Sequence, residues 1–147
     1  MTTGYGATAL SPEDGWTEVI DDGFIALVCP FYTRTDGEHT EVAVVCQDKH
    51  RNRRGIVQGG LVMTFADRAL GIAARAHSGA PTTATVHLDV HFVAPIHVGD
   101  ILRARPHTAP GTRSLLFMRT DLTVDDTLVA TATGVFTPLR TAPLVEE

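Results

Sequence analysis

Residues 60–76 constrain this chain more than any other stretch. Leu61, Val62, Met63, Phe65, Ala66, Ala69, Leu70, Ile72, Ala73 and Ala74 cover most of the circumference of the only long helix candidate. The polar or tiny exceptions, Thr64, Asp67, Arg68, Gly71 and Arg75, fall at helical spacing on one narrow stripe. A helix apolar over so wide an arc has to be almost surrounded. An antiparallel sheet curled around it does this most economically, which predicts an α+β fold with one long central helix.

The rest of the chain supplies such a sheet. In "TTATVHLDVHF", Ala84, Val86, Leu88, Val90 and Phe92 alternate with Thr83, Thr85, His87, Asp89 and His91, the period of a half-buried strand. The alternation predicts that the five apolar residues face the core together. Further strands are expected near 100–108, 113–124 and 127–138, punctuated by turns at Gly99-Asp100, Pro110-Gly111 and Asp125-Asp126. Short connections make these neighbours antiparallel. Upstream, "FIALVCPFY" and "TEVAVVCQ" read as strands separated by "TRTDGEH", and Ser11-Pro12 reads as the start of a helical turn that Gly15 ends. Residues 1–10 are expected to be disordered, 11–139 to form one domain, and 140–147 to be a flexible tail.

Bulk properties narrow the function. With 147 residues and 44% hydrophobic content, the chain can bury a real core. A formal charge of −5 argues against nucleic acid or an anionic membrane as partner, although local arginine clusters can bind one anionic ligand. Cys29 and Cys46 form no CxxC pair and no disulfide-dense framework, which fits a reducing cytoplasm. No signal-peptide pattern and no apolar run of membrane-spanning length is evident, so the expectation is a cytoplasmic protein without membrane association.

The chemistry concentrates in "NRRGIVQGGLVMTFAD". Gly59-Gly60 sits where the helix begins, leaving its first N–H groups open to close approach at the positive end of the helix dipole. Such donors suit a developing oxyanion, though a tight strand-to-helix turn would call for the same glycines. Asp67 is either a nucleophile or general base, or a surface acid paired with an arginine. Along the helix it stands about 10–12 Å from the glycine amides, whereas a reacting carbonyl needs both within about 3–3.5 Å. A two-fold dimer with antiparallel helices brings one chain's Gly59 to the other's Asp67.

Other constellations carry less. On a strand rising about 3.3 Å per residue, His87 and His91 stand roughly 13 Å apart, too far to share a metal ion. Arg103, Arg105, Arg113 and Arg119 lie on the C-terminal strands, and Arg113, in the turn "PGTRS", is the choice among them for a phosphate contact. No G-x-S-x-G, P-loop or dinucleotide fingerprint occurs, and no cofactor is expected.

The order N-x-x-G-x-x-[H]-G-G-x(6)-D, then T-V-x-L-x-V-x-F-x-x-P, then a Gly-Asp turn resembles the hotdog-fold acyl-CoA thioesterases, in the PaaI-type and 4-hydroxybenzoyl-CoA thioesterase-like branch. The matching residues are Asn52, Gly55, Gly59, Gly60, Asp67, Thr85, Phe92, Pro95, Gly99 and Asp100, and the similarity spans roughly residues 45–138. The resemblance implies a hotdog fold, dimers that often pair into homotetramers, and hydrolysis of a CoA or carrier-protein thioester at sites shared between subunits. It implies that Gly59, with Gly60, polarises the thioester carbonyl and that the partner's Asp67 attacks or activates water. Asn52 would hold the carbonyl or the water, and Thr85 would orient the water or Asp67. The departure is Gln58, where the family most often has histidine; Gln can donate and accept hydrogen bonds but cannot titrate. That leaves a non-catalytic acyl-CoA-binding protein as the alternative. A hotdog hydratase is disfavoured, because Arg53 stands five residues after Asp48, where that branch has histidine.

Overall fold

The computed structural model describes residues 10–141. In chain order the elements are β1 (Thr17–Glu18), α1 (Gly23–Val28), β2 (Phe31–Asp36), β3 (His39–Val45), α2 (Gly59–Ser78), β4 (Thr82–Phe92), β5 (Ile101–Ala104), β6 (His107–Ala109), β7 (Leu116–Val124) and β8 (Thr127–Leu139). The strands form one antiparallel sheet in the order β1-β2-β3-β5-β7-β8-β4, with β6 also paired to β7. The sheet wraps α2, whose Leu61, Val62, Phe65, Ala66, Ala69, Leu70, Ala73 and Ala74 are buried. Phe65 meets Phe31 edge-on at 5.5 Å between ring centroids. The predicted central helix and antiparallel sheet are thus observed, and no helix among the described residues is long and apolar enough to cross a membrane.

The helix extends slightly beyond the predicted 60–76. Gly59 joins at the start, and Gly79 ends it in a left-handed conformation (φ 70°), its N–H donating to the Arg75 carbonyl. Asp125 and Asp126 both take positive φ in the β7–β8 turn. Of the expected terminal segments, only Leu10, Arg140 and Thr141 lie within the described residues. Leu10 is buried with Trp16, Ala43 and Val45 in a small cluster on the outer face of the sheet.

Two expectations are corrected. "FIALVCPFY" is not one strand: Gly23–Val28 forms α1, a cis Cys29–Pro30 bond follows, and β2 begins at Phe31. Ile25 and Val28, spaced three apart, pack against the core, while Phe24 and Leu27 face outward. A short apolar run carries no decisive period, so packing chose helix here. In β4, a register shift between Thr85 and His87 breaks the alternation. Thr85 pairs with buried Phe136, whereas Leu88 and Val90 pair with buried Gly134 and Ala132. The helix-facing set is therefore Thr83, Thr85, Leu88, Val90 and Phe92, and Val86 is the bulged residue, 57% exposed.

The loop leading into α2 hangs on His50, which is buried at 2% exposure. Its Nδ1 accepts the Gln47 backbone N–H at 2.9 Å, so Nε2 carries the proton and donates to the Val28 carbonyl at 2.7 Å. The His50 carbonyl in turn accepts the Gln58 N–H at 2.8 Å. One imidazole thereby ties the end of α1 to the start of α2. Burial, assisted by neighbouring Lys49, pushes its pKa below the usual value despite the opposing pull of the Val28 carbonyl.

Two outcomes follow from this packing. A Cβ on Gly134 would lie 2.7 Å from Phe136 Cε2 and 3.2 Å from Leu70 Cδ1, so Gly134→Ala lowers stability by about 1–3 kcal/mol, read as a lower urea midpoint. An unchanged midpoint would mean that β8 and α2 are less closely packed. For His50, the unfolded chain takes up a proton near pH ~6.5 while the folded chain resists, so stability falls as pH drops below that value. Urea midpoints from about pH 5 to pH 7.5 should show this slope reduced in His50→Asn.

Candidate active site

The start of α2 presents two free donors. Leu61 and Val62 N–H both bond the Gln58 carbonyl, at 2.9 and 3.3 Å. The Gly59 and Gly60 N–H groups have no acceptor among the described residues. Gln58 occupies the N-cap position without making a side-chain cap bond, and its Cγ lies 3.8 Å from where a Gly60 Cβ would be. The same construction at Gly59 falls 3.4 Å from Phe92 Cζ, so the Phe92 ring borders the amide. These are unsatisfied N–H groups at the positive end of a 20-residue helix, accessible because glycine has no side chain to cover them.

Asp67 lies further along the open stripe of the same helix. Its Oδ1 accepts the Thr85 hydroxyl at 2.7 Å. The bulge in β4 makes this bond possible, because it turns Thr85 toward α2 while keeping Leu88 and Val90 on the same face further along. Asp67 stands beside the Thr85–Phe136–Leu116 rung of the sheet, while Gly59 stands beside the Phe92–Ala130–Leu122 rung. Within one chain the acid and the amides therefore share a face but do not meet.

The structural alternative for Asp67, an ion pair with Arg68, is not what forms. Arg68 instead donates through Nε and Nη2 to Asp21 Oδ2, each at 3.0 Å. Asp21 comes from the segment before α1, a partnership that no local sequence pattern announces.

Asn52 has a turn-shaping duty. Its Oδ1 accepts the N–H groups of Arg54 at 2.8 Å and Ile56 at 3.3 Å. Arg113 sits exposed in the β6–β7 connection, beyond Leu116 and thus at the Asp67 end of the sheet, away from its own chain's glycine amides. Arg103, Arg105 and Arg119 line a cavity of about 820 Å³ on the outer face, with Arg105 paired to Asp36 and Glu41. The Cys46 thiol is pushed up to about 12 by burial and by nearby Asp100, so it stays protonated and is no nucleophile at neutral pH. His50 was invisible as a support because a histidine in a polar run gives no periodic signal. The chemistry available is one side chain that accepts protons and a pair of open amides that stabilise negative charge.

Comparison with known proteins fits this arrangement. The model of the thioesterase superfamily matches residues 54–131. A Pseudomonas aeruginosa protein provisionally named an esterase is 34% identical over 112 residues, covering 75% of this chain and 84% of that one. A Ralstonia eutropha protein, provisionally described as a thioesterase and as related to phenylacetic acid degradation, superposes with a TM-score of 0.65 at 28% identity, over 71% of this chain and 82% of that one. A Streptococcus mutans protein bound to acetyl-CoA has the same fold, with a TM-score of 0.71 at 19% identity, over 82% of this chain and 97% of that one. The chain is a hydrolase of hotdog fold and belongs to the thioesterase superfamily.

Proposed function

We propose that this protein hydrolyses acyl-CoA thioesters at two identical sites, each built from both chains of a two-fold dimer. The observation that carries this reading is the division of the site within one chain, with open amides at Gly59 and Gly60 and a Thr85-held carboxylate on a separate rung. Both half-sites border an open edge. β4 is the last strand of the sheet and 11 residues long, and nothing among the described residues pairs its free edge. Val86, Phe92 and Val93 are all more than half exposed beside it, and Met63 on α2 is 40% exposed. A long unpaired edge with exposed apolar side chains invites pairing. Two β4 strands joined antiparallel about a two-fold axis extend the sheet and lay the open stripes of the two α2 helices against each other, bringing each Asp67 to the other chain's amides. Gly60, Thr64 and Gly71 on that stripe are small enough to permit close approach.

In this reading the thioester carbonyl oxygen accepts hydrogen bonds from Gly59 N–H, with Gly60 N–H assisting, so negative charge that develops on it is stabilised by preorganised donors. The partner's Asp67 attacks the carbonyl carbon or draws a proton from the water that does. If water attacks, the carbon–sulfur bond breaks to give the acid directly. If Asp67 attacks, the bond breaks to leave a mixed anhydride on Asp67, which a water then hydrolyses to the acid and the restored carboxylate. On either route the departing thiolate takes up a proton. Thr85 orients the carboxylate through its hydroxyl, Asn52 keeps the loop closed and has its Nδ2 for the carbonyl or water, and Gln58 lies beside the amides as donor or acceptor.

Release of free thiol from a panel of short-chain, aromatic and long-chain acyl-CoAs tests the assignment. Asp67→Asn lowers kcat by at least about a hundred-fold, and Thr85→Val by about ten-fold, while sedimentation still shows the dimer. Wild-type turnover in Asp67→Asn overturns the mechanism. Tight acyl-CoA binding without turnover by the unaltered protein favours the non-catalytic alternative that Gln58 raises.

A further inference from the structure

We infer that Arg53 and Arg54 form the subsite that holds the phosphates of the CoA part of the substrate, an inference that rests on the reading of the site as one for acyl-CoA. The two residues occupy the tip of a turn closed by several bonds. Asn52 N–H donates to the Ile56 carbonyl at 2.7 Å, and Gly55 N–H donates to the Asn52 carbonyl at 3.1 Å. Asn52 Oδ1 takes the Arg54 and Ile56 N–H groups, and Arg51 bridges to Val57 below the tip. Gly55 completes the turn at φ 85°. The backbone under the two arginines is thus fixed, while both side chains are exposed.

Their charges are uncompensated. Arg34, Arg51, Arg68 and Arg105 each have a carboxylate partner, whereas no carboxylate among the described residues lies within 4.0 Å of Arg53 or Arg54. The nearby acids are engaged elsewhere, Asp48 with the Arg51 guanidinium at 2.7 Å and Asp100 with the His97 N–H at 2.8 Å. In a chain of net charge −5, two adjacent unpaired guanidinium groups are a local exception to the overall field.

Position decides what the exception suits. The tip runs directly through Val57 and Gln58 into Gly59, so at about 3.3 Å per residue the arginines stand within roughly 15–20 Å of the oxyanion amides. That is comparable with an extended pantetheine arm, the spacer between a CoA thioester and its pyrophosphate. A thioester carbonyl at Gly59 therefore leaves the phosphate groups within reach of the turn, where guanidinium forks bind phosphate oxygens in pairs. An acidic carrier protein would instead need a docking surface of about 800 Å² per partner, and a two-arginine tip is a small footprint for that.

The test compares one acyl group carried on CoA, on dephospho-CoA, which lacks the 3′-phosphate, and on pantetheine, which lacks every phosphate. The double variant Arg53→Ala/Arg54→Ala is expected to raise KM for acyl-CoA about ten-fold or more with little change in kcat, and to leave KM for acyl-pantetheine as it was. Raising salt from about 50 to about 500 mM narrows the advantage of acyl-CoA over acyl-pantetheine in the unaltered protein and not in the variant. Arg119→Ala, on the outer face of the sheet, controls for lost surface charge and keeps the unaltered KM.

An equal loss on all three thioesters overturns the proposal by making the arginines structural. So does an unchanged KM for acyl-CoA. If the unaltered protein releases thiol from none of them, the hydrolytic reading fails by itself. Calorimetric titration with CoA then decides the arginines separately, a weaker Kd in the double variant supporting them and an unchanged Kd overturning them.

Discussion

The structure depends on one constraint: α2 cannot be left in water on more than a narrow stripe. Its alanines Ala66, Ala69, Ala73 and Ala74 and its large side chains Leu61, Val62, Phe65 and Leu70 are all buried. The sheet has to curl to satisfy that demand, and a curled sheet with one helix inside leaves a single free side. Asp67 sits on that free side because a carboxylate anywhere else on α2 would be buried without a partner. The site's location is thus a by-product of how the core is closed.

Much of this was legible in the sequence, and the rest was hidden for identifiable reasons. The central helix and the antiparallel strands were readable because Leu61 to Ala74 and Leu88 to Phe92 carry clean periods of 3.6 and 2. Gly59, Gly60 and Asp67 stood out because each breaks the local rule of a helix, and broken rules mark places where something other than stability is served. Thr85 was identified by resemblance, but not its orientation: an uninterrupted alternation cannot announce a bulge, since Val86 looks as suitable for the core as Leu88. α1 was concealed because six apolar-rich residues are too few to fix a period. Contacts such as His50 with Val28 and Asp21 with Arg68 join segments far apart in the chain, and one sequence holds no trace of such pairings.

The separation of amides and acid along α2 follows from helix geometry. Open N–H groups exist only in the first turn, while Asp67, held by Thr85, stands about two turns further along the same helix. A single helix can supply both, but not at the same point. In the proposed dimer, two-fold symmetry would convert this separation into a matched pair, because antiparallel copies exchange near and far ends. In that arrangement the free edge of β4 is complementary to itself.

The ion pair between Arg68 and Asp21 has a consequence for the acid next to it. The Arg68 guanidinium is taken up by Asp21, with both donor contacts at 3.0 Å. Asp67 makes no ion pair among the described residues, and its Oδ1 accepts the Thr85 hydroxyl instead. Asp21 never has to touch a substrate to matter: by keeping Arg68 engaged, it acts as a decoy that leaves the Asp67 carboxylate unclaimed.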